Sequence, residues 1–150
     1  MIISGSTALV LIHFAATWLM VGLIWFVQIV HYPLFNRAGA PGFVEYAREH
    51  QRLTTYVVVV PMIVELLTAA ALAALRPRGL DAGLIWAGLA LLAVIWASTA
   101  FLQVPQHQDL LRGFDDIVHG RLVATNWIRT AAWSARGILS LVMVMRLVGK

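Results

Sequence analysis

The residues with the clearest potential for chemistry in this chain are four histidines, His31, His50, His107 and His119. Neutral imidazole binds iron, copper, zinc or nickel, and two facing imidazoles can hold a haem iron. The chain contains no cysteine, which excludes thiolate metal sites and cysteine nucleophiles. We therefore predict that the four histidines bind a transition metal, iron or copper, or a haem. The competing interpretation is that each is an ordinary polar residue at the end of a membrane helix.

Two halves of the chain carry the same order of residue types around these histidines. The run F-V-Q-I at 26–29, followed by His31, resembles F-L-Q-V at 101–104, followed by His107. Likewise G-F at 42–43 and H-Q-R-L at 50–53 resemble G-F at 113–114 and H-G-R-L at 119–122. Two helical hairpins inserted the same way would be parallel repeats and would bring the histidines to one membrane face. Short apolar runs also match by chance, because Phe, Leu and Val are common in this sequence.

The repeat also places one glutamine beside each half of the histidine cluster. Gln28 and Gln103 lie about one helical turn deeper than the neighbouring histidines. Side chains at that depth orient metal ligands or bound molecules in many metal sites. We predict that both glutamines contact the substrate.

Three charged residues fall inside the apolar stretches: Glu65, Arg129 and Arg136. An unpaired charge at mid-membrane costs at least about 2.5–3.5 kcal/mol on insertion scales, so Glu65 is expected to pair with one of the two arginines. The pair either shapes a catalytic interior or simply fixes helix register. Arg136 and Trp133, which share the polar face of the last helix, are expected to contact a flat substrate.

The elements that carry these residues follow from composition. Hydrophobic residues make up 61% of the 150 residues, charged residues only 12%, and the mean hydropathy is +0.82. Soluble domains average about 25% charged residues, and a membrane-spanning helix needs about 20 largely apolar residues. We predict an all-α integral membrane four-helix bundle, one transmembrane domain over 1–150 built from two tandem hairpins. Its helices are expected at about 6–32, 42–75, 82–106 and 119–147.

Helical periodicity indicates which sides of these helices face inward. At 100° per residue, the polar residues of each helix form one stripe. The stripes contain His13, Thr17, Gln28 and His31 on the first helix, His50, Thr54, Pro61, Glu65 and Thr68 on the second, and His119, Asn126, Arg129, Trp133 and Arg136 on the last. Lipid cannot satisfy such groups, so the stripes are expected to face the interior of the bundle. His13, at the opposite end from the other histidines, is expected to be a hydrogen-bonded core residue.

Partners and location follow from the charge pattern. The net charge is +4, but the basic residues are scattered singly, which argues against nucleic acid. The expected partners are the lipid bilayer and a lipophilic small molecule. A homodimer or another subunit of a membrane complex stays open. We predict a multi-pass protein of a bacterial inner membrane with both termini in the cytoplasm, although basic residues near the helix ends do not decide the orientation alone.

Two short motifs in the last third of the chain resemble a known family. They are Q-V-P-Q-H at 103–107 and N-W-I-R-T at 126–130. The pairing resembles the anthrone-oxygenase-like family of small four-helix membrane proteins, in which V-P-x-[NH] precedes a last helix bearing N-x-x-R-T. The resemblance implies oxidation of a hydrophobic, often aromatic substrate, with roles for His107, Asn126 and Arg129. The histidines of the first half have no counterpart in that pattern.

Together these features predict a membrane-embedded, metal-dependent oxidoreductase or oxygenase acting on a lipophilic substrate. Glu65, Asn126 and Arg129 are the expected catalytic residues beside the histidine cluster. Two other classes remain open. A small transporter or channel subunit would use Glu65, Arg129 and Arg136 to line a path, and a structural subunit of a membrane complex would need no chemistry.

Overall fold

The structure, a computed structural model, describes residues 4–38 and 40–148. Five α-helices are present in this part of the chain: α1 (Gly5–Phe26), α2 (Phe43–Leu75), α3 (Ala82–Ser98), α4 (Val104–Leu110) and α5 (Asp116–Val148). A π-helical turn at Val27–His31 continues α1, and a second at Thr99–Gln103 joins α3 to α4. Short 3-10 turns follow at Pro33–Arg37 and Ala40–Gly42. The described residues contain no strand, which confirms the all-α fold class.

These elements combine into four continuous helical segments that are long and apolar enough to cross a membrane. We call them the first to fourth spans: Gly5–Arg37, Phe43–Leu75, Ala82–Leu110 and Asp116–Leu147. Large apolar side chains such as Val60, Leu67 and Phe101 are more than half exposed on their outer surfaces. An outer surface of this kind suits lipid and is rare on water-soluble monomers. The four predicted apolar helices are therefore confirmed.

Side-chain caps set where the first, third and fourth spans begin. The Ser4 hydroxyl accepts a hydrogen bond from the Thr7 backbone N–H at 3.2 Å, and the Asp81 carboxylate accepts one from Gly83 at 2.7 Å. The Asp115 carboxylate accepts from the backbone N–H groups of residues 117 and 118 at 2.8 and 2.9 Å. Such caps satisfy N–H groups that have no partner within the helix. The Asp115 cap starts the fourth span at Asp116, three residues before the predicted position 119.

The ends of the spans depend on backbone geometry. Arg76 adopts a left-handed conformation with φ of 43° and ends the second span. The third span runs through its π turn and on to Leu110, beyond the predicted end at 106. The first span does not stop at 32, because the 3-10 turn that begins at Pro33 extends it to Arg37. This extension matters for the site, because it buries Phe35 at this end of the bundle.

The spans pack as a ring in which the fourth contacts both the first and the third extensively, whereas the second and third touch each other much less. The predicted polar stripes face inward. Their buried members are His13, Thr17, Gln28, His50, Pro61, Glu65, Thr68, His119, Asn126, Arg129, Trp133 and Arg136, while His31 and Thr54 are half-buried. The inward orientation of the stripes is confirmed.

Candidate functional site

Two of the predicted metal ligands lie in direct contact at one end of the bundle. Nε2 of His31 is 2.7 Å from Nδ1 of His50, and the Thr54 hydroxyl is 3.1 Å from the same Nδ1 atom. The ring of His107 follows, with its centroid 5.4 Å from that of His50. The first, second and third spans thus bring three of the four histidines into one group.

A phenylalanine that the sequence did not single out lies among the histidines. Phe35 is fully buried, and its ring centroid is 4.9 to 6.2 Å from those of all four histidines. The 3-10 turn after Pro33 places it there. The apolar ring therefore fills space that a four-histidine metal centre would require for the ion.

The fourth histidine has a different hydrogen-bond partner. Nε2 of His119 donates to the backbone carbonyl of Tyr32 at 2.8 Å, because a carbonyl can only accept. Within the described ranges, no group of three or more His, Cys, Asp or Glu side chains is arranged to hold a metal ion. The prediction that all four histidines ligate a metal therefore has no matching geometry in this structure.

Tyr32 links the histidine group to Arg129. Its hydroxyl is 2.9 Å from Nε2 of His107 and 3.4 Å from Nη2 of Arg129. A guanidinium only donates, so the Tyr32 oxygen accepts from Arg129 and its proton is free to be donated to His107. Tyr32 is almost fully buried, at 4% exposed. No sequence pattern indicates this role, because a tyrosine at the end of a membrane helix is usually an interfacial anchor.

Arg129 is held by an amide. The Asn126 side-chain oxygen accepts from Nε at 2.9 Å and from Nη2 at 2.6 Å, and the Thr99 hydroxyl accepts from Nη1 at 3.3 Å. In the chain as described, no carboxylate oxygen lies within 4 Å of this guanidinium. Arg129 is 9% exposed, so it is a buried cation without an anionic partner.

Both predicted glutamines are buried in π-helical turns, where they join the spans by hydrogen bonds. The Gln28 amide oxygen accepts from Asn126 at 2.9 Å and from the Thr130 hydroxyl at 3.3 Å. The Gln103 amide accepts from the Ser98 hydroxyl at 2.9 Å and donates to Thr125 at 3.2 Å. Gln28 thus holds the Asn126 side chain in place, and Gln103 connects the third and fourth spans.

Glu65 forms the expected buried ion pair, and its partner is Arg136. Its carboxylate accepts from Arg136 Nε at 2.9 Å, from the Thr17 hydroxyl at 2.9 Å and from Trp133 Nε1 at 3.0 Å. Arg136 Nη1 donates to the Gly88 carbonyl, and among the described residues its Nη2 has no hydrogen-bond partner. This pair ties together all four spans.

Two further contacts complete the interior. The Trp133 ring lies against Arg129, with 5.9 Å from the guanidinium carbon to the ring centroid. Because Trp133 also donates to Glu65, it connects the ion pair to the unpaired arginine. The predicted core role of His13 is confirmed, since its Nδ1 lies 2.8 Å from the Thr68 hydroxyl.

A cavity of about 300 Å³ lies between the four spans beside these groups. Its polar end is formed by Tyr32, His50, His107, Gln103 and Arg129. Its apolar wall includes Met20, Ile24, Val58, Met62 and Trp133. Three lining residues between the second and third spans, Thr55, Val104 and Gln108, are exposed, so the cavity reaches the surface there.

The predicted site residues divide into those that line the cavity and those that support the lining. His50, His107, Gln103, Arg129 and Trp133 belong to the lining. The remaining predicted residues lie outside it: Gln28, His31, Glu65, His119, Asn126 and Arg136. No protein-family model, curated protein or solved structure matches this chain.

Proposed function

We propose that this chain is a membrane-embedded oxidoreductase that oxidises a lipophilic molecule bound in the central cavity. The observation that carries the proposal is the meeting of Tyr32, His107 and Arg129 in the lining of the central cavity. A general base beside a fixed cation is the arrangement that proton abstraction needs. The resemblance of residues 103–107 and 126–130 to anthrone-oxygenase-like proteins supports oxidation as the reaction.

The substrate enters sideways from the lipid. The cavity opens between the second and third spans, the neighbouring pair with the least contact, and its rim is formed there by Thr55, Val104 and Gln108. A molecule dissolved in the bilayer reaches this opening without crossing water. A bacterial inner membrane, with both termini in the cytoplasm, stays our prediction for the location.

The residues that line the cavity take different roles in the proposed reaction. A ketone with an acidic neighbouring CH2 group loses a proton, which passes through the Tyr32 hydroxyl to Nε2 of His107. The oxygen of the resulting enolate is stabilised by the Arg129 guanidinium. Reaction with O2 then converts the CH2 group to a carbonyl and releases one water, so the carbon supplies all four electrons that reduce O2.

The proposal also keeps the metal dependence that the sequence predicts. His31 and His50 present two facing nitrogens 2.7 Å apart, with His107 next to them. In the described part of the chain these three rings are not arranged to hold an ion; if iron, copper or a haem is bound, His31, His50 and His107 would hold it, and it would supply the activation of O2. His119 is not part of this set, because its ring stacks on Phe35 with 6.2 Å between the ring centroids.

The transport alternative receives less support from the contacts. Glu65 is fully buried, accepts hydrogen bonds from three side chains and does not line the cavity. A carboxylate held this way favours the register-fixing role over that of a solute or proton carrier. Arg136 is the partner of Glu65 in this ion pair, so the same conclusion applies to it.

The direct test is oxygen uptake by the protein in lipid nanodiscs with anthrone as the probe. Anthrone and O2 should give anthraquinone and water in equal amounts, and Tyr32→Phe should lower the rate about a hundredfold, the size of a typical acid-base contribution. Tyr56→Phe is the matched control, since Tyr56 is 68% exposed. Uptake no greater than that of empty nanodiscs, in both metal-loaded and metal-free protein, would overturn the proposal.

A further inference from the structure

We infer that the central cavity binds its substrate as an organic oxyanion, a phenolate, enolate or carboxylate on a small apolar ring system. The inference rests on the proposed function, because it names the chemical class of the molecule that this cavity takes. It is drawn from one juxtaposition: a buried arginine, paired by an asparagine rather than a carboxylate, in the lining of the cavity.

The charge balance of the interior is uneven. The buried charged side chains of the described chain are Glu65, Arg129 and Arg136. Glu65 and Arg136 neutralise each other, which leaves Arg129 as a net positive charge. A buried charge without a partner is expensive, and native structures rarely keep one without a use.

Asn126 binds the Arg129 side chain without neutralising its charge. Its amide oxygen accepts from Nε and Nη2 of Arg129, the same two atoms that a carboxylate would bind. Its amide nitrogen donates to the Gln28 oxygen, and the orientation of the Asn126 amide follows from that bond. Arg129 is therefore positioned as firmly as in an ion pair, but its charge remains available to a ligand.

Arg129 also keeps a donor for that ligand. A guanidinium has five N–H groups, and the contacts to Asn126, Tyr32 and Thr99 occupy four of them. One N–H group on Nη1 remains. The Thr99 hydroxyl donates to the Ile95 carbonyl and the Tyr32 hydroxyl faces His107, so the free N–H group of Arg129 is the donor that an oxyanion in the cavity meets.

The size of the cavity limits the rest of the molecule. About 300 Å³ lies at the lower end of the range for small-molecule sites in proteins. Met20, Ile24, Val58 and Met62 form an apolar part of the wall against which a ring system packs, and Gln51, Thr54 and Thr55 add polar side chains to the lining. The ligand that fits is a small ring system with one charged oxygen group.

The test compares an anion with its neutral analogue. Radiolabelled 2-naphthoate and 2-naphthamide are bound by equilibrium dialysis to the protein in nanodiscs of zwitterionic lipid, with empty nanodiscs subtracted. Wild-type protein should bind the naphthoate about ten- to a hundredfold more tightly, as expected for hydrogen bonds to a charged group. Asn126→Asp should remove this preference, because the new carboxylate neutralises Arg129.

Controls keep the result specific. Asn36→Asp makes the same substitution at an exposed position near the same end and should leave the preference unchanged. Arg129→Gln should remove the preference by a different route, so it replaces Asn126→Asp if that variant does not fold. Equal binding of the two compounds by wild-type protein, or an undiminished preference in folded Asn126→Asp or Arg129→Gln, would overturn the inference.

The two proposals fail separately in this design. The naphthoate has no CH2 group to oxidise, so its binding is measured without turnover. A preference for the anion in a protein that oxidises nothing would leave the inference standing and remove the proposed function. Oxidation of anthrone by a protein that binds both naphthalene compounds equally would support the proposed function and overturn the inference about the oxyanion.

Discussion

Nε2 of His119 donates a hydrogen bond to the backbone carbonyl of Tyr32 at 2.8 Å, which fastens the start of the fourth span to the end of the first. The same tyrosine directs its hydroxyl toward His107 and Arg129. Tyr32 therefore joins the histidine end of the bundle to the cavity. The ring of His119 stacks on Phe35, whereas His31, His50 and His107 form one group.

The first prediction concerns metal content. If the purified protein carries iron or copper, His31→Ala and His50→Ala should lose it, since these two side chains belong to the group of three neighbouring histidines. His119→Ala should retain it, because that ring stacks on Phe35 and is not one of the three grouped histidines. Elemental analysis of the detergent-purified variants decides the point. Loss of metal from His119→Ala with retention in His31→Ala would show that the histidines are grouped differently.

The second prediction concerns the ring at the centre of the histidines. Phe35 is completely buried, so Phe35→Ala should lower the free energy of unfolding by about 3–5 kcal/mol, the usual cost of removing a buried aromatic ring. The midpoint of thermal unfolding in detergent reports the change. Leu34→Ala is the control, since Leu34 is 53% exposed and should alter the midpoint little. Equal effects of the two variants would mean that Phe35 does not pack among the histidines.

The third prediction concerns the buried ion pair. Glu65→Gln leaves the Arg136 guanidinium buried without its anion, so we expect a loss of about 3–5 kcal/mol in the free energy of unfolding. Replacing both residues, as in Glu65→Gln with Arg136→Met, should recover much of that loss, because the unpaired charge is gone.

The control for this prediction is Glu49→Gln, which breaks the exposed contact between Glu49 and Arg52 and should leave the unfolding midpoint unchanged. Unfolding is followed by circular dichroism in the same detergent for all variants. A Glu65→Gln protein as stable as the wild type would show that the carboxylate is not required for register.

Much of this arrangement could be predicted from the sequence because membrane helices obey strong constraints. Lipid cannot satisfy polar groups, so the stripes containing His13, Glu65 and Arg136 had to face inward. The cost of a buried charge then required a Glu65 partner, although depth alone did not choose between Arg129 and Arg136. These predictions depend only on periodicity and charge, which a single sequence contains.

The rest could not be predicted because it depends on departures from regular helix. The π turns at Val27–His31 and Thr99–Gln103 each insert an extra residue, which shifts every following side chain around the axis. Extrapolation at 100° per residue fails beyond such a turn. The 3-10 turn after Pro33 then brings Phe35 among the histidines, and no periodic pattern marks that position. The role of Tyr32 could not be predicted because a tyrosine at a helix end is usually an interfacial anchor.

The final prediction addresses whether the reaction takes place in the cavity at all. Val58 lines the cavity, whereas its neighbour Val57 points outward and is 58% exposed. Val58→Trp should fill the cavity, while Val57→Trp adds the same ring to the outer surface. The two variants therefore differ in where the new bulk lies, and not in its chemistry.

The measurement is anthrone-dependent oxygen uptake by wild type, Val58→Trp and Val57→Trp in nanodiscs, after each is shown to be folded. We predict that Val58→Trp loses the activity and that Val57→Trp keeps it at the wild-type level. Full activity in Val58→Trp, with the cavity filled, would contradict the central claim that the substrate is oxidised between the four spans.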